Sequence, residues 1–470
     1  MSLFDKLPLP PVYYHGREMN YWRANDRDQW MKINESSVRL FVADHGYAKK
    51  NDGGINSEAD ECVMRIQSEQ NVVYAAALAG YDAGSYEMNG KTILVTDGMK
   101  RIVPKAGEWP TLSRLFEGMF VDGEINQRDY FYGWLKSGLA TFRCGTWRAS
   151  QMLALAGDAG SGKSLTQNLI TELFGGRCAK PYQFMRGGTE FNSQLFAGEH
   201  LMLEDESESV DMRSRRHFAA MMKTLLCGRE QSCHGKNREA VMLRPLWRMS
   251  CSLNFDPERL LVLPPLDEDI RDKIIALKVV SHEMPMRTET EAEKELFWQT
   301  LVNELPAFAA YLETWAVPDG LRDERYGIRA YQHPEIVERL NATSSEVRLL
   351  ELVDLTLFRN QYQRRPWVGS AAELERKLTD DQSAFRDEAR RLLKWENACG
   401  AYLGRLERCQ EGYQAGRVSS RLIHGRREWT IQPPERDQEV EKETTIVAPV
   451  EPPGQTPSLS REVRASLGLD

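Results

Sequence analysis

The sequence predicts an α/β fold with a parallel central sheet, and three apolar runs carry that prediction. Leu153–Ala156 leads into a glycine-rich turn and then into the helix-compatible residues 165–174. The second run ends at Leu203 before consecutive acidic residues, and the third, Trp247–Leu253, ends at Asn254. Apolar runs that alternate with helical patterns are typical of buried parallel strands. Functional side chains are expected where these strands end.

The glycine-rich turn has the spacing of a phosphate-binding loop. Gly157 is followed by four residues and then by Gly162, Lys163 and Ser164, between the strand and the helix that this pattern requires. Backbone N–H groups of such a loop point at phosphate oxygens, the lysine neutralises the β- and γ-phosphates, and the hydroxyl binds Mg²⁺. A turn that binds nothing is disfavoured, because the glycines, the lysine, the hydroxyl and the flanking elements all agree. The predicted nucleotide-binding residues are Gly157, Asp158, Ala159, Gly160, Ser161, Gly162, Lys163, Ser164 and Leu165.

Three consecutive acids, Glu204, Asp205 and Glu206, follow the second apolar run. Carboxylates at the end of a parallel strand beside a phosphate loop hold Mg²⁺ and activate water. If Leu203 is the last strand residue, Glu204 serves the metal and Asp205 polarises the attacking water. A slip of one residue makes the pair Asp205 and Glu206, and a solvated acidic turn is the alternative to both. The predicted metal ligands are Ser164, Glu204 and Asp205.

A basic hairpin is predicted around His234–Arg238. Its tip combines a turn-forming glycine and asparagine with the cations Lys236 and Arg238. Such a tip suits the phosphate backbone of a nucleic acid, and a solvated turn is an equally good interpretation of the local sequence.

Two further polar residues follow the hairpin. Asn254, at the end of an apolar strand, can place its amide between the γ-phosphate and the attacking water, although most asparagines at strand ends only form turns. Arg271 stands among acidic residues. It is either an ordinary ion-pair residue or an arginine finger for the nucleotide of a neighbouring subunit.

The composition is that of an ordinary soluble globular protein. The 470 residues are enough for about three domains. Eight cysteines occur without a C-x-x-C pair, which favours neither a zinc site nor a disulfide framework. No apolar run approaches the roughly 20 residues of a membrane span, so we expect no membrane partner and a cytoplasmic location. The net charge of −8 restricts nucleic-acid contact to local patches or the inner face of an oligomer.

Changes in composition divide the chain into six segments. Near the C-terminus the sequence predicts two helices followed by a β-hairpin, which is the order of a winged helix. The last residues are rich in Pro, Glu, Thr and Ser, a composition typical of disorder. We predict a small N-terminal α/β domain (1–105), a helical collar (106–150), an ATPase-type core (151–285), a helical extension (286–360), a winged-helix-like DNA-binding domain (361–432) and a disordered tail (433–470).

The N-terminal segment interleaves aromatic with basic residues. Stacking of nucleic-acid bases on the rings is one interpretation, and packing within strands is the commoner one. The aromatic residues are Tyr13, Tyr21, Trp22 and Trp30, and the basic residues are Arg17, Arg23, Arg27 and Lys32. The segment has no paired acidic strand motif of the kind that a primase needs to hold two metals.

The order of these motifs resembles the superfamily 3 helicase core of phage and plasmid primase–helicases. The resemblance rests on GDAGSGKS, HLMLEDES, the hairpin region that ends in SLNFDP, and PPLDEDIRDKI, and it extends to RDYFYGWL in the collar and to W-x-G-S-A-x-E-L near the C-terminus. It covers residues 105–432. It implies an AAA+ type ATPase with ATP and Mg²⁺ as cofactors, usually a hexameric ring that encircles DNA and translocates along it.

The resemblance also implies a role for each matching position. Those positions are Gly157, Gly162, Lys163 and Ser164 for Walker A, Glu204 and Asp205 for Walker B, Asn254 for the sensor, and Arg271 for the arginine finger, with Arg259 as the alternative. The catalytic residues are then Lys163, Glu204, Asp205, Asn254 and Arg271. The DNA-contacting hairpin contributes His234, Lys236 and Arg238, with Lys236 the best single candidate. Long members of the family carry a primase domain that is not recognisable here, so we expect this chain to make no primers.

Three functional hypotheses follow. The first is an ATP-dependent DNA helicase in the replication of a phage, a plasmid or an integrated mobile element. Its expected partners are single-stranded and forked DNA, further copies of itself in a hexamer, and a separate primase or replication protein. The alternative is an initiator that binds origin duplex DNA, or an ATP-dependent switch, without processive unwinding. An ATPase in defence or packaging is a third hypothesis, since a phosphate loop alone does not determine the biological function.

Overall fold

The computed structural model describes residues 8–49, 56–204, 212–264, 266, 268–342, 345–358, 365–408, 416–423 and 425–434. The chain divides into two units, Met1–Ser344 and Ser345–Asp470. Across the described ranges, no helix is both long and apolar enough to cross a lipid bilayer. Most of the predicted disordered tail, residues 435–470, lies outside the described residues.

Two small sheets and two helices form the N-terminal part of the first unit. In chain order they are β1 (Val12–His15), β2 (Asn20–Ala24), β3 (Trp30–Ile33), α1 (Glu35–Asp44), α2 (Glu58–Glu69), β4 (Asn71–Val72), β5 (Ala75–Ala76), β6 (Gly84–Met88) and β7 (Lys91–Val95). The sheet orders are β3-β2-β1-β4 and β5-β7-β6. Tyr21 is 2% exposed and packs with Val38 and Ile66. At least this one of the predicted aromatic residues therefore serves strand packing.

Two helices joined by a short hairpin follow. They are α3 (Pro110–Phe120) and α4 (Arg128–Cys144), separated by β8 (Val121–Asp122) and β9 (Ile125–Asn126). The ring of Phe116 lies 5.0 Å from that of Phe131 and 5.4 Å from that of Phe308, between centroids. Aromatic pairs at such distances add to the energy of apolar burial. These rings join α3 and α4 to the long helix Glu291–Thr314, which contains Phe308.

The central sheet and the elements around it occupy residues 152–342. They are β10 (Met152–Gly157), α5 (Lys163–Leu173), β11 (Cys178–Ala179), α6 (Tyr182–Met185), a 3₁₀ turn (Ser193–Ala197), β12 (His200–Leu203), α7 (Met212–Cys227), β13 (Gln231–Cys233), β14 (Val241–Leu243), β15 (Arg248–Asn254), α8 (Pro257–Leu260), α9 (Glu268–Arg271), β16 (Ile274–Val279), α10 (Glu291–Thr314), a second 3₁₀ turn (Asp319–Leu321), β17 (Tyr331–Gln332) and α11 (Pro334–Ala342).

Six of these strands form one parallel sheet in the order β11-β12-β15-β10-β16-β17. Strand β10 lies inside the sheet, and all its residues are buried. Strand β15 lies between β10 and β12, and Gly157 at the end of β10 is level with Asn254 and with Val279. The parallel α/β core predicted from the apolar runs is confirmed.

The described residues of the second unit form four helices and a three-stranded antiparallel sheet. They are α12 (Ser345–Leu357), β18 (Trp367–Gly369), α13 (Ala371–Thr379), α14 (Arg386–Leu392), α15 (Ala398–Arg408), β19 (Val418–Ile423) and β20 (Arg426–Ile431), with the sheet order β18-β20-β19. Leu350 of α12 belongs to the same core as Leu403 and Trp429. The unit therefore begins ahead of residue 361, at which the sequence places the winged-helix-like domain; the remaining domain boundaries stay predictions.

Candidate nucleotide-binding site

The predicted phosphate loop, residues 157–164, joins the central strand β10 to helix α5. Gly160 and Gly162 have φ angles of +78° and +93°, which glycine adopts without strain. A Cβ atom on Gly157 would lie 2.4 Å from the Val279 carbonyl oxygen, so the adjacent strand leaves room for hydrogen only. Asp158–Gly160 and Ser164 are exposed. The loop thus presents the first turn of α5 to solvent at the carboxyl edge of the sheet, where ligands of parallel α/β folds bind.

Lys163 is 7% exposed and reaches back over this loop. Its Nζ donates to the carbonyl oxygens of Gly157 and Asp158, at 2.7 Å each, and to Asn254 Oδ1 at 3.3 Å. A buried ammonium requires such oxygen partners. The structure therefore brings the predicted lysine and the predicted sensor asparagine together at the ends of two adjacent strands.

The acidic residues are only partly described. Strand β12 ends at Leu203, which is the strand end assumed when Glu204 is assigned to the metal. The Glu204 carboxylate is 44% exposed and accepts from Lys180 Nζ at 2.6 Å. Asp205 and Glu206 lie outside the described residues, so the choice between the two acidic pairs stays a prediction.

The residues that are described fit a magnesium–triphosphate group. The Ser161 hydroxyl is buried and has no hydrogen-bond partner within the described residues. Ser164 is exposed at the first turn of α5, where backbone N–H groups and the helix dipole favour an anion. Ser164 and Glu204 are oxygen donors of the kind that Mg²⁺ prefers.

A buried polar ring behind the loop ties α5 to two strands. Gln167 Nε2 donates to the Leu203 carbonyl oxygen at 3.0 Å and to Ser250 Oγ at 2.8 Å. Ser250 Oγ lies 2.7 Å from His200 Nε2, and His200 Nδ1 lies 2.7 Å from Thr171 Oγ1. The Thr171 hydroxyl then donates to the Gln167 carbonyl oxygen at 3.1 Å, which closes the ring.

One assignment of hydrogens accounts for every contact of this polar ring, and the Gln167 Oε1 atom stays buried without a partner among the described residues. Because the Thr171 hydroxyl donates to Gln167, it accepts from His200 Nδ1–H, and His200 Nε2 accepts from the Ser250 hydroxyl. His200 is completely buried, and burial lowers its pKa to about 3. The imidazole is therefore neutral near pH 7, in the tautomer that the polar ring requires.

The segment beyond Asn254 is held by two cations. The guanidinium of Arg339 lies 4.1 Å from the centre of the Phe255 ring and donates to the Phe255 carbonyl oxygen at 3.1 Å. Lys278 Nζ lies 5.7 Å from the same ring and donates to Asp122 at 2.7 Å and to Glu335 at 2.5 Å. Asp122, Glu335 and His333 are close enough together to hold a metal ion. The ammonium of Lys278 already bridges the two carboxylates, so this cluster is better explained as an ion-pair network.

The two remaining predicted sites lie on the amino edge of the sheet, opposite the phosphate loop. Strands β13 and β14 form the predicted hairpin, and β14 leads into the start of β15. Arg271 ends α9 just before β16, whose first residue pairs with Met152 at the start of β10. The length of β10, about 16 Å for five residue steps, separates that edge from Gly157. Arg271 Nε donates to Gln332 Oε1 at 3.1 Å.

Comparison with known proteins identifies the architecture. No protein-family model and no curated protein sequence matches the chain. An apo structure of the NrS-1 C-terminal region matches with a TM-score of 0.53 and 14% identity, over 90% of this chain and 95% of that one. An A-form apo structure of the same region gives a TM-score of 0.50 and 14% identity, over 90% and 96%. The likeness shows the fold.

A structure described as the active helicase Cch of SCCmec type IV also matches. Its TM-score is 0.28 at 9% identity, over 84% of this chain and 71% of that one, which is too low to establish a shared fold. The α/β architecture therefore rests on the NrS-1 region and on the parallel sheet itself. The roles of the individual site residues stay predictions.

Sequence reasoning missed the polar ring. Its signal is weak but present. Ser250 is one of several polar residues in the buried strand β15, and Gln167 and Thr171 stand four residues apart on α5, a spacing that puts them on one helix face. His200 at the start of β12 looks like an ordinary polar residue at a strand end. Only the strand order shows that these side chains meet.

Proposed function

We propose that this protein is an ATP-dependent DNA helicase of the superfamily 3, AAA+ type. The observation that carries the proposal is that Lys163, Asn254 and the phosphate loop lie together at one edge of the parallel sheet. Gln167 on α5 also binds the end of strand β12, directly before Glu204. Phosphoryl transfer requires this combination of a phosphate cradle, a cation, an oxygen ligand for Mg²⁺ and a polar group that orients water.

In the proposed reaction, water attacks the γ-phosphate of ATP in line with the leaving group. Lys163 exchanges its two backbone carbonyl partners for phosphate oxygens, and Asn254, 3.3 Å from the ammonium, orients the water or the γ-phosphate. Ser164 and Glu204 would hold Mg²⁺, which would supply positive charge to the phosphates. Asp205 is the proposed base that polarises the water, and it lies outside the described residues.

The proposed assembly is a ring of identical subunits, six in the family that the motifs resemble. Arg271 lies on the sheet edge opposite its own phosphate loop, so an arginine-finger role requires the nucleotide of a neighbouring subunit. An arginine supplied from outside stabilises the charge of the phosphoryl-transfer transition state. The position of Arg271 supports such a role, and Arg259 on α8 is the alternative.

The proposed DNA contact is the hairpin tip between β13 and β14. Lys236 and Arg238 at this tip are exposed, and Asn237 turns the chain with a φ angle of +58°. Cations on an exposed turn contact phosphates without sequence preference. A translocating helicase needs this kind of sequence-independent contact.

The test is strand displacement on a forked DNA substrate by the full-length protein. We expect unwinding that requires ATP and Mg²⁺, is lost in Lys163→Ala, and is lost in Lys236→Ala although duplex binding persists. Lys91→Ala, an exposed lysine at the start of β7, is the matched control. Absence of unwinding together with an ATPase that single-stranded DNA does not stimulate would refute the proposal.

The second unit favours a second candidate, an origin-binding initiator. Its three-stranded sheet and helices follow a winged-helix order, and Arg426 and Arg427 are exposed at the β19–β20 turn. An initiator would bind one duplex sequence tightly and would not unwind it processively. Charge reversal by Arg426→Glu and Arg427→Glu in the full chain should then abolish sequence-specific duplex binding, whereas a pure helicase loses no specificity.

A further inference from the structure

The turn between β1 and β2 lies against the tip of the basic hairpin. Arg17 forms an ion pair with Glu239, and Arg238 forms one with Glu18 at 2.8 Å. Each pair joins one residue of the turn to one residue of the hairpin tip. The two segments therefore present arginines and carboxylates to each other in a reciprocal arrangement.

A cleft of about 730 Å³ lies between these two segments. Val73, Tyr74, Cys233 and Val241 contribute apolar lining, and Cys233 is buried while Val241 is half-buried. The volume falls within the roughly 300–1,000 Å³ range of ligand sites in proteins. An apolar lining of this kind accommodates the face of an aromatic or heterocyclic ring.

Three cations line the same cleft: Arg17, Lys236 and Arg238. Lys236 is exposed and has no ion-pair partner among the described residues. The Arg17–Glu239 pair is open to water, with side-chain exposures of 42% and 77%. In the other pair, Arg238 is 62% exposed and Glu18 is 21% exposed. Exposed ion pairs contribute only about 0–1 kcal/mol, so a phosphate group can displace the Glu239 carboxylate from Arg17 at low cost.

We propose that this cleft binds single-stranded DNA, with a base against the apolar lining and the flanking phosphates on Arg17, Lys236 and Arg238. The inference rests on the proposed helicase function and extends it. The DNA site would include the turn between β1 and β2 in addition to the hairpin tip. Base faces and phosphates occur together in a single strand, whereas the bases of a duplex are stacked inside the helix. Glu18 and Glu239 pair with the arginines in the free protein, and DNA phosphates would replace these carboxylates on binding.

The test uses the full-length protein and a fluorescent oligothymidylate in an anisotropy titration at several salt concentrations. Arg17→Ala should weaken binding about threefold to tenfold and reduce the slope of log affinity against log salt by about 0.7, the value for one lost phosphate contact with a single strand. Arg27→Ala is the matched control, since Arg27 is exposed on the neighbouring β2–β3 turn and does not line the cleft. It should change affinity less than twofold, or about 0.4 kcal/mol.

A second variant predicts a change of opposite sign. Glu239→Gln removes the carboxylate that competes for Arg17, so it should tighten binding of the oligothymidylate about twofold to fivefold. A misfolded Glu239→Gln protein would not bind the oligothymidylate more tightly than the wild type, so this result cannot be attributed to misfolding when Arg27→Ala leaves the affinity unchanged. A forty-base-pair duplex probe should show neither the loss in Arg17→Ala nor the gain in Glu239→Gln.

Two results separate failure of the cleft from failure of the helicase proposal. If Lys236→Ala weakens binding while Arg17→Ala and Glu239→Gln change nothing, DNA contacts the hairpin alone and the cleft proposal is overturned. If the wild-type protein does not bind the oligothymidylate at all, the helicase proposal fails with it. Equal losses in Arg17→Ala and Arg27→Ala would also overturn the cleft, because they indicate a diffuse electrostatic effect.

Discussion

The ammonium of Lys163 lies over the loop in which we propose that phosphate binds. Two carbonyl oxygens at 2.7 Å hold it over the loop, and they are neutral partners for a buried cation. A triphosphate would offer anionic oxygens to the same ammonium, and opposite charges attract each other more strongly than an ammonium attracts a neutral carbonyl group. In the proposed site, each carbonyl contact that Lys163 exchanges for a phosphate oxygen would favour nucleotide binding.

Loss of this side chain should abolish hydrolysis. We expect Lys163→Ala to lower the ATPase rate by about a hundredfold or more, as for other groups that stabilise transition-state charge, and Lys91→Ala to leave it unchanged. A phosphate-release assay measures the rate, and circular dichroism verifies folding. An ATPase rate in Lys163→Ala close to that of the wild type would exclude the loop as the hydrolytic site.

His200 should make stability fall in acid. Its folded pKa of about 3 is below the unfolded value of about 6.5, so only the unfolded state takes up a proton as the pH falls below 6.5. This residue alone should cost about 2 kcal/mol of unfolding free energy between pH 7 and pH 5. Urea titrations of the wild type and of His200→Gln at both pH values measure the difference. The hypothesis is wrong if both proteins show the same pH dependence.

The polar ring joins helix α5 to strands β12 and β15 by buried hydrogen bonds. Gln167 holds the carbonyl oxygen of Leu203, the residue directly before Glu204. Ser250 lies on β15, four residues before Asn254. The position of the acidic strand end relative to the phosphate loop is therefore set by buried hydrogen bonds, which are costly to break.

Gln167 is accordingly expected to act as a positioning residue. Gln167→Ala should lower kcat about tenfold with little change in the KM for ATP, because a small misplacement of catalytic groups slows chemistry more than binding. Asn168→Ala, the exposed neighbour on the same helix, is the control. A rise in KM with unchanged kcat would contradict the positioning role.

Gln167→Glu adds a readout that packing alone would not produce. A protonated carboxylic acid can donate to the Leu203 carbonyl oxygen, whereas an ionised carboxylate repels it, and burial raises the pKa of such an acid. The ATPase activity of Gln167→Glu, divided by that of the wild type, should therefore increase as the pH falls from 8 to 6. A constant ratio would indicate that the hydrogen bond to Leu203 does not matter.

Across the first unit, the parallel sheet separates two groups of predicted site residues. The phosphate loop and Asn254 occupy the carboxyl edge, while Arg271 and the basic hairpin lie toward the amino edge. One chain therefore cannot bring Arg271 to its own loop without refolding the sheet. A site that uses both must be built from two copies.

Mixing two inactive variants tests this arrangement. Lys163→Ala retains Arg271, and Arg271→Ala retains the phosphate loop, so mixed rings contain some complete sites. We expect each variant alone to lack ATPase activity and the mixture to regain a fraction of it, as for an arginine finger acting in trans. If Arg271→Ala alone retains full activity, the finger lies elsewhere, and Arg259→Ala becomes the next variant to mix.

Much of the core was predictable because its signals are local. A strand–loop–helix unit is written in adjacent residues, so Gly157–Ser164 and the strand ends at Leu203 and Asn254 could be predicted from pattern alone. The hairpin around His234–Arg238 was predicted from its turn residues, and the structure shows the two antiparallel strands on either side of it. The roles of Glu204, Asp205, Arg271 and Lys236 stay predictions, since local pattern does not report which groups meet a substrate.

Motif residues and the parallel class of the sheet follow from the order of amino acids, because glycine geometry and apolar periodicity act over a few residues. The insertion of β15 between β10 and β12, the polar ring through His200 and the contact of the β1–β2 turn with the hairpin were decided by the tertiary structure. These features join residues far apart in the chain. Their pairing depends on strand order and packing, which no local pattern encodes.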